Sequence, residues 1–484
     1  MINPKVTTWI IPQAGIIMSQ SVPAGMNLAG DNLVSNVWTS YKQEEKDMKK
    51  LKKVAALVLA AVFAIGLLAA CGNKGGDTPA PAGSGSSSSG GGEAVIKIGY
   101  VSPVTGPLSH FSVGMDNTIK NVEAKMNEKG YDIGGVHYSV KIIKGDSESD
   151  PVKAAEVAKK LVQSDGCQIL LGEWTPDTMN PVSEAAEQLK VPCIVDGGPD
   201  ISWTAAGPYD YSFACAMRYE KQVKEYFEAF EKMSTNKKIG LVLDSSMDGV
   251  GMLELVKAKA AEYGYTIVNP DANELAQEGA TDFTAIVQKI QAEGADIMLA
   301  SLLGFQLSGL WANVDSLGYH PKFVILSKGM HFSSDVLTLT NAAGECTGAY
   351  TCIETQWTRE YPFTSSLLGK TAEELSADFE ENVKEAPDVT IGWDYVFFDL
   401  IDQALKTTKS LSSEDLVAAL EAIQGFDCIY GNLSCDDEHV FETPITFGQW
   451  VPDEKWGLHK VVTSCSSVPE AEPIMQPQVE MQWK

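Results

Sequence analysis

Strand-like and helix-like segments alternate along most of this chain, starting near residue 94. Residues 95–101 are rich in β-branched and apolar side chains, residues 117–129 have helical spacing, and residues 138–143 are strand-like again. The same alternation repeats from residue 238 onward. Strands interleaved with helices of about 10–15 residues predict right-handed βαβ units, and therefore parallel sheets covered on both faces. The predicted fold class is α/β, with two Rossmann-like lobes.

The stretch at residues 48–71 has the three parts of a secretory signal. Four lysines between residues 49 and 53 precede an uncharged apolar run at 54–70, which ends in small residues before Cys71. A basic segment, a short apolar segment and a small-residue cleavage site are the parts of an export signal. The apolar run has only 17 residues, so the alternative is an uncleaved transmembrane anchor of minimal length. Both interpretations put the rest of the chain outside the cytoplasm.

The segments on either side of this signal are expected to contribute nothing to the folded body. Residues 1–47 show no sustained hydrophobic period, and translation is expected to start at Met48; the alternative is a cytoplasmic extension. Residues 72–93 are dominated by Gly and Ser, which predicts a disordered tether. Such a tether spans about 26 Å on average, enough to hold a globular body clear of a membrane.

The formal net charge of −27 argues against one class of partner. A strongly acidic chain repels nucleic-acid phosphates and anionic lipid headgroups, so no nucleic-acid partner is predicted. The acidity is interpreted as a solvated surface that keeps an exported protein soluble.

Eight cysteines follow Cys71, and an even number in an exported chain permits disulfides. The close pairs Cys346/Cys352 and Cys428/Cys435 are the natural candidates. Other cysteines lie in strand-like apolar runs, where a free thiol behaves as a small hydrophobic side chain. The chain has no CxxC, so a thioredoxin-like or zinc-ribbon site is not supported.

The pattern of possible catalytic residues argues against an enzyme. The six histidines are dispersed, and the chain has no HExxH, GxSxG or phosphate-binding loop motif. The sequence therefore predicts no catalytic residue, no metal site and no cofactor. An exported enzyme remains the less favoured alternative.

Three stretches carry a resemblance to a known family. They are the LAAC box at 68–71, IKIGYVSPVTGPLSHFSVGMDN at 96–117, and GDSESDPVKAAEVAKKLVQSDGCQILLGEWT at 145–175. Together they resemble the solute-binding lipoproteins of ABC importers, specifically the branched-chain amino acid (Leu/Ile/Val-binding) family with the type I periplasmic-binding fold. The resemblance implies a diacylglycerol on Cys71 and two lobes joined by a three-crossover hinge. It places the crossovers near residues 215–220, 348–354 and 429–441.

The same resemblance implies a division of the body into two lobes. Lobe I is expected to comprise residues 94–216 and 350–430, and lobe II residues 217–349 and 431–465. Residues 466–484 are expected to form a C-terminal tail. The implied partners are a small-molecule ligand, an ABC permease with its ATPase, and the membrane through lipid on Cys71. The protein is expected to be an extracytoplasmic monomer.

The ligand is expected in the crevice beyond the carboxyl ends of the strands, as in other open α/β sheets. Loops after the strands supply aromatic walls, small turn-forming residues with free backbone N–H groups, and a few polar side chains, as a small-ligand site requires. The aromatic run at 393–398 is instead predicted to pack in the core. The predicted ligand-binding residues are Phe111, Trp174, Thr175, Gly197, Gly198, Trp203, Met247, Asp248 and Lys328.

Compared residue by residue, the chain departs from the amino acid binders at the position that receives the ligand's ammonium. Where the family commonly has an acidic residue, this chain has Lys328, and Glu173, Asp200 or Asp248 are the possible replacements. The expected ligand is therefore an amino acid held by unusual contacts, or a small carboxylate or aromatic solute without an ammonium. A ligand-sensing lipoprotein that acts with a signalling receptor is the alternative function.

Overall fold

The computed structural model describes residues 6–11, 16–21 and 94–483. Strands β1 (Val6–Ile11) and β2 (Ile16–Ser21) pair antiparallel, a hairpin that the sequence pattern did not predict. This hairpin belongs to a compact unit distinct from the one that contains residues 94–483. The predicted signal, Cys71 and the tether lie outside the described residues. No helix in the described ranges is long and apolar enough to cross a membrane.

The first of two large sheets has seven strands, in the order β16-β8-β7-β6-β3-β5-β4. Every neighbouring pair in it is parallel except β4 and β5. Parallel neighbours need crossover connections, and helices supply them here, as the alternating pattern predicts. In chain order the strands are β3 (Ala94–Ser102), β4 (Tyr131–Ile133), β5 (Val136–Asp146), β6 (Ile169–Leu171), β7 (Cys193–Pro199), β8 (Ser212–Met217) and β16 (Val440–Glu442).

The second large sheet also has seven strands, in the order β10-β9-β11-β12-β13-β17-β18. Its first five strands are parallel, and the last two form an antiparallel ribbon at one edge. A separate small hairpin pairs β14 (Phe426–Cys428) with β15 (Gly431–Leu433). The strands of the second sheet are β9 (Lys238–Leu243), β10 (Thr266–Ile267), β11 (Ile297–Leu302), β12 (Phe323–Lys328), β13 (Cys352–Thr355), β17 (Thr446–Asp453) and β18 (Gly457–Ser464).

Helices cover both faces of both sheets, so each lobe contains two apolar clusters. Along β9, Ile239 and Leu241 face one cluster while Val242 faces the other, because successive side chains of a strand alternate between faces. The helices are α1 (Met115–Asn127), α2 (Pro151–Gln163), α3 (Pro176–Leu189), α4 (Asp200–Ala206), α5 (Tyr219–Phe230), α6 (Met247–Tyr263), α7 (Thr284–Glu293), α8 (Gly304–Leu317), α9 (Ser333–Val336), α10 (Ala372–Asn382), α11 (Thr390–Thr407) and α12 (Ser413–Glu421).

The chain passes between the two sheets three times: from β8 to α5, after β13, and between β16 and β17. Two strands pair in the sheet of the lobe opposite to the one that the resemblance implies. Strand β13 was expected in lobe I but pairs with β12 of the second sheet. Strand β16 was expected in lobe II but pairs with β8 of the first sheet. Both strands are short and mostly buried, and their residue types do not indicate which of the two sheets each strand joins.

The expected C-terminal tail packs on the body instead of standing apart. Val468 and Ala471 belong to the apolar cluster of the first sheet, and Met481 belongs to a cluster of the second. The indole of Trp483 stacks on that of Trp311, with ring centroids 5.4 Å apart. The tail therefore contacts both lobes.

None of the eight cysteines in the described part of the chain forms a disulfide, so the two candidate pairs are not bridged in this structure. Seven of these side chains are buried, and the eighth, Cys346, is half-buried. Burial raises the pKa of the Cys352 thiol well above its ordinary value, with small opposing contributions from hydrogen bonds to Gln478 and Gln449. These residues therefore behave as core side chains.

Candidate functional site

A cavity of about 60 Å³ lies between the two sheets. Several of its lining residues lie at or just beyond the carboxyl ends of parallel strands, where open α/β sheets bind their ligands. Trp174 follows β6, Ser301 lies near the end of β11, and Lys328 ends β12. The residues lining this cavity, called the ligand cavity below, are Phe111, Trp174, Thr175, Pro176, Pro199, Met217, Tyr219, Gln222, Asp248, Ser301, Ser327, Lys328, His331, Glu354 and Trp393.

Three aromatic rings form one wall of the ligand cavity. Phe111 and Trp393 stack almost parallel, with centroids 5.5 Å apart and an interplanar angle of 2°. Trp174 also stacks on Trp393, with ring centroids 5.6 Å apart and an interplanar angle of 23°. Phe111 also meets Phe332, from the segment before α9, edge to face at 5.4 Å. The wall is therefore rigid, and Phe111 joins it to the second lobe.

An ion pair forms part of the opposite wall. Lys328 Nζ lies 3.2 Å from Asp248 Oδ2, and the hydroxyl of Ser202 donates to the other oxygen of Asp248 at 3.2 Å. Burial by itself lowers the pKa of Lys328, but the nearby carboxylates of Asp248 and Asp244 outweigh it and leave that pKa above the ordinary value. Lys328 is therefore a cation held in position at the edge of the cavity.

Glu354, on β13, brings a second carboxylate to the cavity. Its oxygens accept from Ser327 Oγ at 2.8 Å, from Tyr226 Oη at 2.5 Å and from the backbone N–H of Lys328 at 3.3 Å. His331 Nε2 lies 3.9 Å from it. Only 2% of Glu354 is exposed, so these protein donors, and not solvent, satisfy its carboxylate oxygens. The cavity therefore contains fixed charges of both signs.

Of the predicted ligand-binding residues whose surroundings the structure describes, five line this cavity: Phe111, Trp174, Thr175, Asp248 and Lys328. All five were selected from the sequence because they were expected in the segments that follow predicted strands. The structure places them around one space, while their role in binding stays a prediction.

Three further predicted residues, Gly198, Trp203 and Met247, do not line the cavity. Gly197 and Gly198 belong to β7, whose last residue, Pro199, lines the cavity. Trp203 is buried in the core of the first lobe, donates to the carbonyl of Glu438 at 3.2 Å and packs on Tyr209. Met247 is the first residue of α6 and points outward, with 57% of its surface exposed.

Sequence reasoning missed ten of the lining residues, of which Trp393, Glu354 and His331 are the most informative. The prediction that residues 393–398 pack in the core is confirmed for Tyr395, Phe397 and Phe398, but Trp393 also reaches the cavity. A lone acidic residue in an otherwise uncharged strand was the available signal for Glu354. Of the suggested anions, Asp248 lines the cavity, whereas Asp200 pairs with Arg218 at 3.1 Å.

Two α/β lobes, three passages of the chain between them, and a cavity at the facing strand ends define the type I periplasmic-binding fold. A family model described as periplasmic binding protein matches residues 95–455. The chain belongs to this family of periplasmic binding proteins.

Among characterised proteins, the chain is similar to the Leu/Ile/Val-binding protein BraC3 of Rhizobium johnstonii. The two are 24% identical over 238 residues, which are 49% of this chain and 58% of the relative. The matched segment thus spans little more than half the length of that relative.

Two solved structures show the same fold. The leucine-binding protein LivK of Thermotoga maritima superposes with a TM-score of 0.62 at 14% identity, covering 77% of this chain and 99% of the other. A solute-binding protein of an ABC transporter from Rhodopseudomonas palustris, in complex with 3,4-dihydroxybenzoic acid, gives 0.60 at 18% identity and covers 76% and 96%. The family and the fold are those of extracytoplasmic solute-binding proteins and not of enzymes.

Proposed function

We propose that this protein is the extracytoplasmic solute-binding component of an ABC importer, anchored to the membrane by lipid on Cys71. It captures an amino acid, or a related small carboxylate or aromatic solute, and delivers it to a permease whose ATPase supplies the energy. No covalent bond is made or broken by this chain. The observation that carries the proposal is the ligand cavity, with an aromatic wall on one side and fixed charges of both signs on the other.

The size of the cavity supports a mechanism of hinge closure. At about 60 Å³ it is smaller than the ~150 Å³ cavity that holds a benzene molecule, so a solute requires the lobes to move apart. Contacts between the lobes also cross its rim: Phe111 meets Phe332, and His110 Nδ1 lies 3.1 Å from Asp335. A ligand that contacts both walls binds the closed arrangement more tightly, and that difference in affinity shifts the equilibrium towards closure.

The charges favour a ligand that carries a carboxylate, with an ammonium as well in the preferred case. Lys328 is the cation suited to a carboxylate. Glu354 accepts three hydrogen bonds, and a carboxylate has about four acceptor positions, so it retains capacity for an ammonium donor. The aromatic wall suits an apolar side chain. LivK is named as a leucine-binding protein, and the Rhodopseudomonas protein was crystallised with a dihydroxybenzoic acid. Amino acids and aromatic carboxylates are therefore the two solute classes to test first.

The test is calorimetric titration of the full chain, purified in detergent, with three matched solutes: L-leucine, 4-methylpentanoate without the ammonium, and 3-methylbutylamine without the carboxylate. A second, aromatic set consists of L-phenylalanine, 3-phenylpropionate and phenethylamine. The aromatic carboxylate 4-hydroxybenzoate is titrated as a further solute. We expect one amino acid to bind and both of its analogues to bind about tenfold more weakly or worse.

A Glu354→Gln variant tests the proposed ammonium contact. It should lose the preference for the amino acid over its analogue without the ammonium, whereas Glu345→Gln, at an exposed position, should keep it. Failure of every amino acid, aliphatic carboxylate and aromatic carboxylate to bind at millimolar concentration, together with measurable turnover of any of them, would contradict the proposal.

A further inference from the structure

A second, larger cavity of about 260 Å³ lies beside the ligand cavity. One wall comes from residues 357–360 and 386–389, next to the core of the first lobe, and the other from strands β17 and β18 of the second sheet. Among the described residues, only His331 lines both cavities. Three indoles, those of Trp357, Trp450 and Trp456, contribute to its walls together with Pro387, Val389 and Leu458.

Nitrogen atoms without a hydrogen-bond partner collect around this second cavity. Lys460 Nζ, Trp357 Nε1 and His331 Nδ1 are all enclosed, and none has a hydrogen-bond partner among the described residues of the protein. The ammonium of Lys460 lies over the ring of Trp450, 5.6 Å from its centre. Leaving a buried donor without an acceptor is costly, and most so for a charged one, so a bound group with acceptor oxygens would be stabilised here.

The carboxylates that line the second cavity already have donors of their own. Asp388 accepts from the backbone N–H of Thr390 at 2.8 Å, and Asp453 accepts from the N–H groups of Lys455 and Trp456 at 2.9 and 2.6 Å. Glu360 accepts from the hydroxyl of Thr358. Burial lowers the pKa of Lys460 to about 8, while the carboxylates of Asp388, Glu354 and Glu360 oppose this shift from a distance without hydrogen-bonding the ammonium. Lys460 is thus still mostly protonated at pH 7 and has donors to offer.

We propose that the second cavity is a distinct binding site for a small aromatic carboxylate. The ring lies among the three indoles, since the volume exceeds the ~150 Å³ that holds benzene. The carboxylate accepts from Lys460 and Trp357 in charge-assisted hydrogen bonds. Because the walls come from both lobes, a bound carboxylate stabilises the closed arrangement and raises the affinity of the ligand cavity.

The test uses sodium benzoate as the probe, with benzamide and benzylammonium chloride as neutral and cationic analogues of similar shape. Calorimetry of the full chain should show saturable binding of benzoate, with both analogues at least about tenfold weaker. Lys460→Met should weaken benzoate about tenfold or more. Trp357→Phe, which keeps an aromatic ring and removes only the N–H donor, should weaken it about fivefold and serves if Lys460→Met does not fold.

Two matched variants separate this proposal from the proposed function. Lys455→Met removes an exposed lysine that pairs with Glu380 at 2.6 Å near the same strands, and it should bind benzoate like the wild type. Lys328→Met disables the ligand cavity and should leave the benzoate affinity within about twofold. The second site would be overturned if Lys328→Met lowers the benzoate affinity and Lys460→Met does not. Equal affinities for benzoate and benzamide would also overturn it. Neither result would contradict the proposed ligand cavity.

Discussion

Lys328 and Asp248 form an ion pair across the ends of two strands that are not neighbours. Lys328 ends β12, Asp248 follows β9 as the second residue of α6, and β11 lies between those strands. The two side chains approach to 3.2 Å and keep 21% and 11% of their surface exposed. The pair therefore fixes a positive group at the ligand cavity and neutralises it in the absence of a carboxylate ligand.

Removing one member of this pair should affect stability and binding differently. Lys328→Met leaves the carboxylate of Asp248 enclosed and unpaired, and should lower the free energy of unfolding by about 2–3 kcal/mol. The double variant Lys328→Met/Asp248→Asn should recover most of that loss, but not the affinity for a carboxylate ligand. Urea unfolding and calorimetry measure the two effects. Recovery of affinity in the double variant would show that Lys328 does not contact the ligand.

The aromatic wall should contribute measurably to affinity. Phe111→Ala removes the stacked contact with Trp393 and the edge contact with Phe332, each worth about 1 kcal/mol, so ligand affinity should fall by up to about thirtyfold. Phe363→Ala is the matched control, because Phe363 is also partly buried against the same apolar cluster but does not line the ligand cavity. Equal losses of affinity in the two variants would indicate a general loosening of the lobe.

The buried carboxyl of Asp394 should make stability fall as the pH rises. Burial raises its pKa to about 7, while hydrogen bonds such as that from the Tyr100 hydroxyl oppose the rise. A raised pKa in the folded state means that the protonated form is favoured on folding, so its contribution is present at pH 4 and is lost as the pH passes 7. The limit is about 1.4 kcal/mol per pH unit.

An Asp394→Asn variant isolates this effect. The free energy of unfolding of the wild type minus that of the variant should decrease between pH 4 and 7, as followed by urea titrations at each pH. Other buried carboxyls, such as Glu173 and Asp399, also have raised pKa values, but they are common to both proteins and cancel in the difference. A difference that does not change with pH would mean that Asp394 is ionised throughout.

The anchor can be tested by fractionation of a bacterial host that processes lipoproteins. The wild type should be recovered with the membrane, and mass spectrometry should show a mature N-terminus at Cys71 that carries lipid. Cys71→Ser should abolish the modification. Detection of residues 48–70 on the wild-type protein from the membrane fraction would instead support the uncleaved transmembrane anchor.

The fold could be predicted because burial is encoded locally. Strands such as β9 and β11 are short runs of buried apolar residues, and the helices between them begin at recognisable residues. Asp150, for example, accepts from the N–H of Lys153 at 2.8 Å, with Pro151 in the first turn. The lobe assignment of β13 and β16 could not be predicted, because which sheet a short buried strand joins depends on contacts distant in sequence.

In the candidate site too, some residues could be predicted from the local sequence, and others depend on contacts distant in sequence. Trp174, Asp248 and Lys328 were found because they follow strands, and the ends of parallel strands meet at one edge. Glu354 and Trp393 reach the cavity from a crossover strand and from a helix whose other aromatic residues are core. Their apolar or strand-like surroundings predict burial correctly, but they do not reveal which space the side chain faces.

Strand β16 has a consequence for how the protein can be made. It pairs with β8, yet more than 200 residues separate the two in the chain. Until Val440–Glu442 has been synthesised and exported, the first sheet keeps β8 as an unpaired edge, and exposed edges invite aggregation. A gene fragment that encodes only the N-terminal part of the body would yield an unfinished sheet. The first sheet is therefore complete only when almost the last strands of the chain have been made.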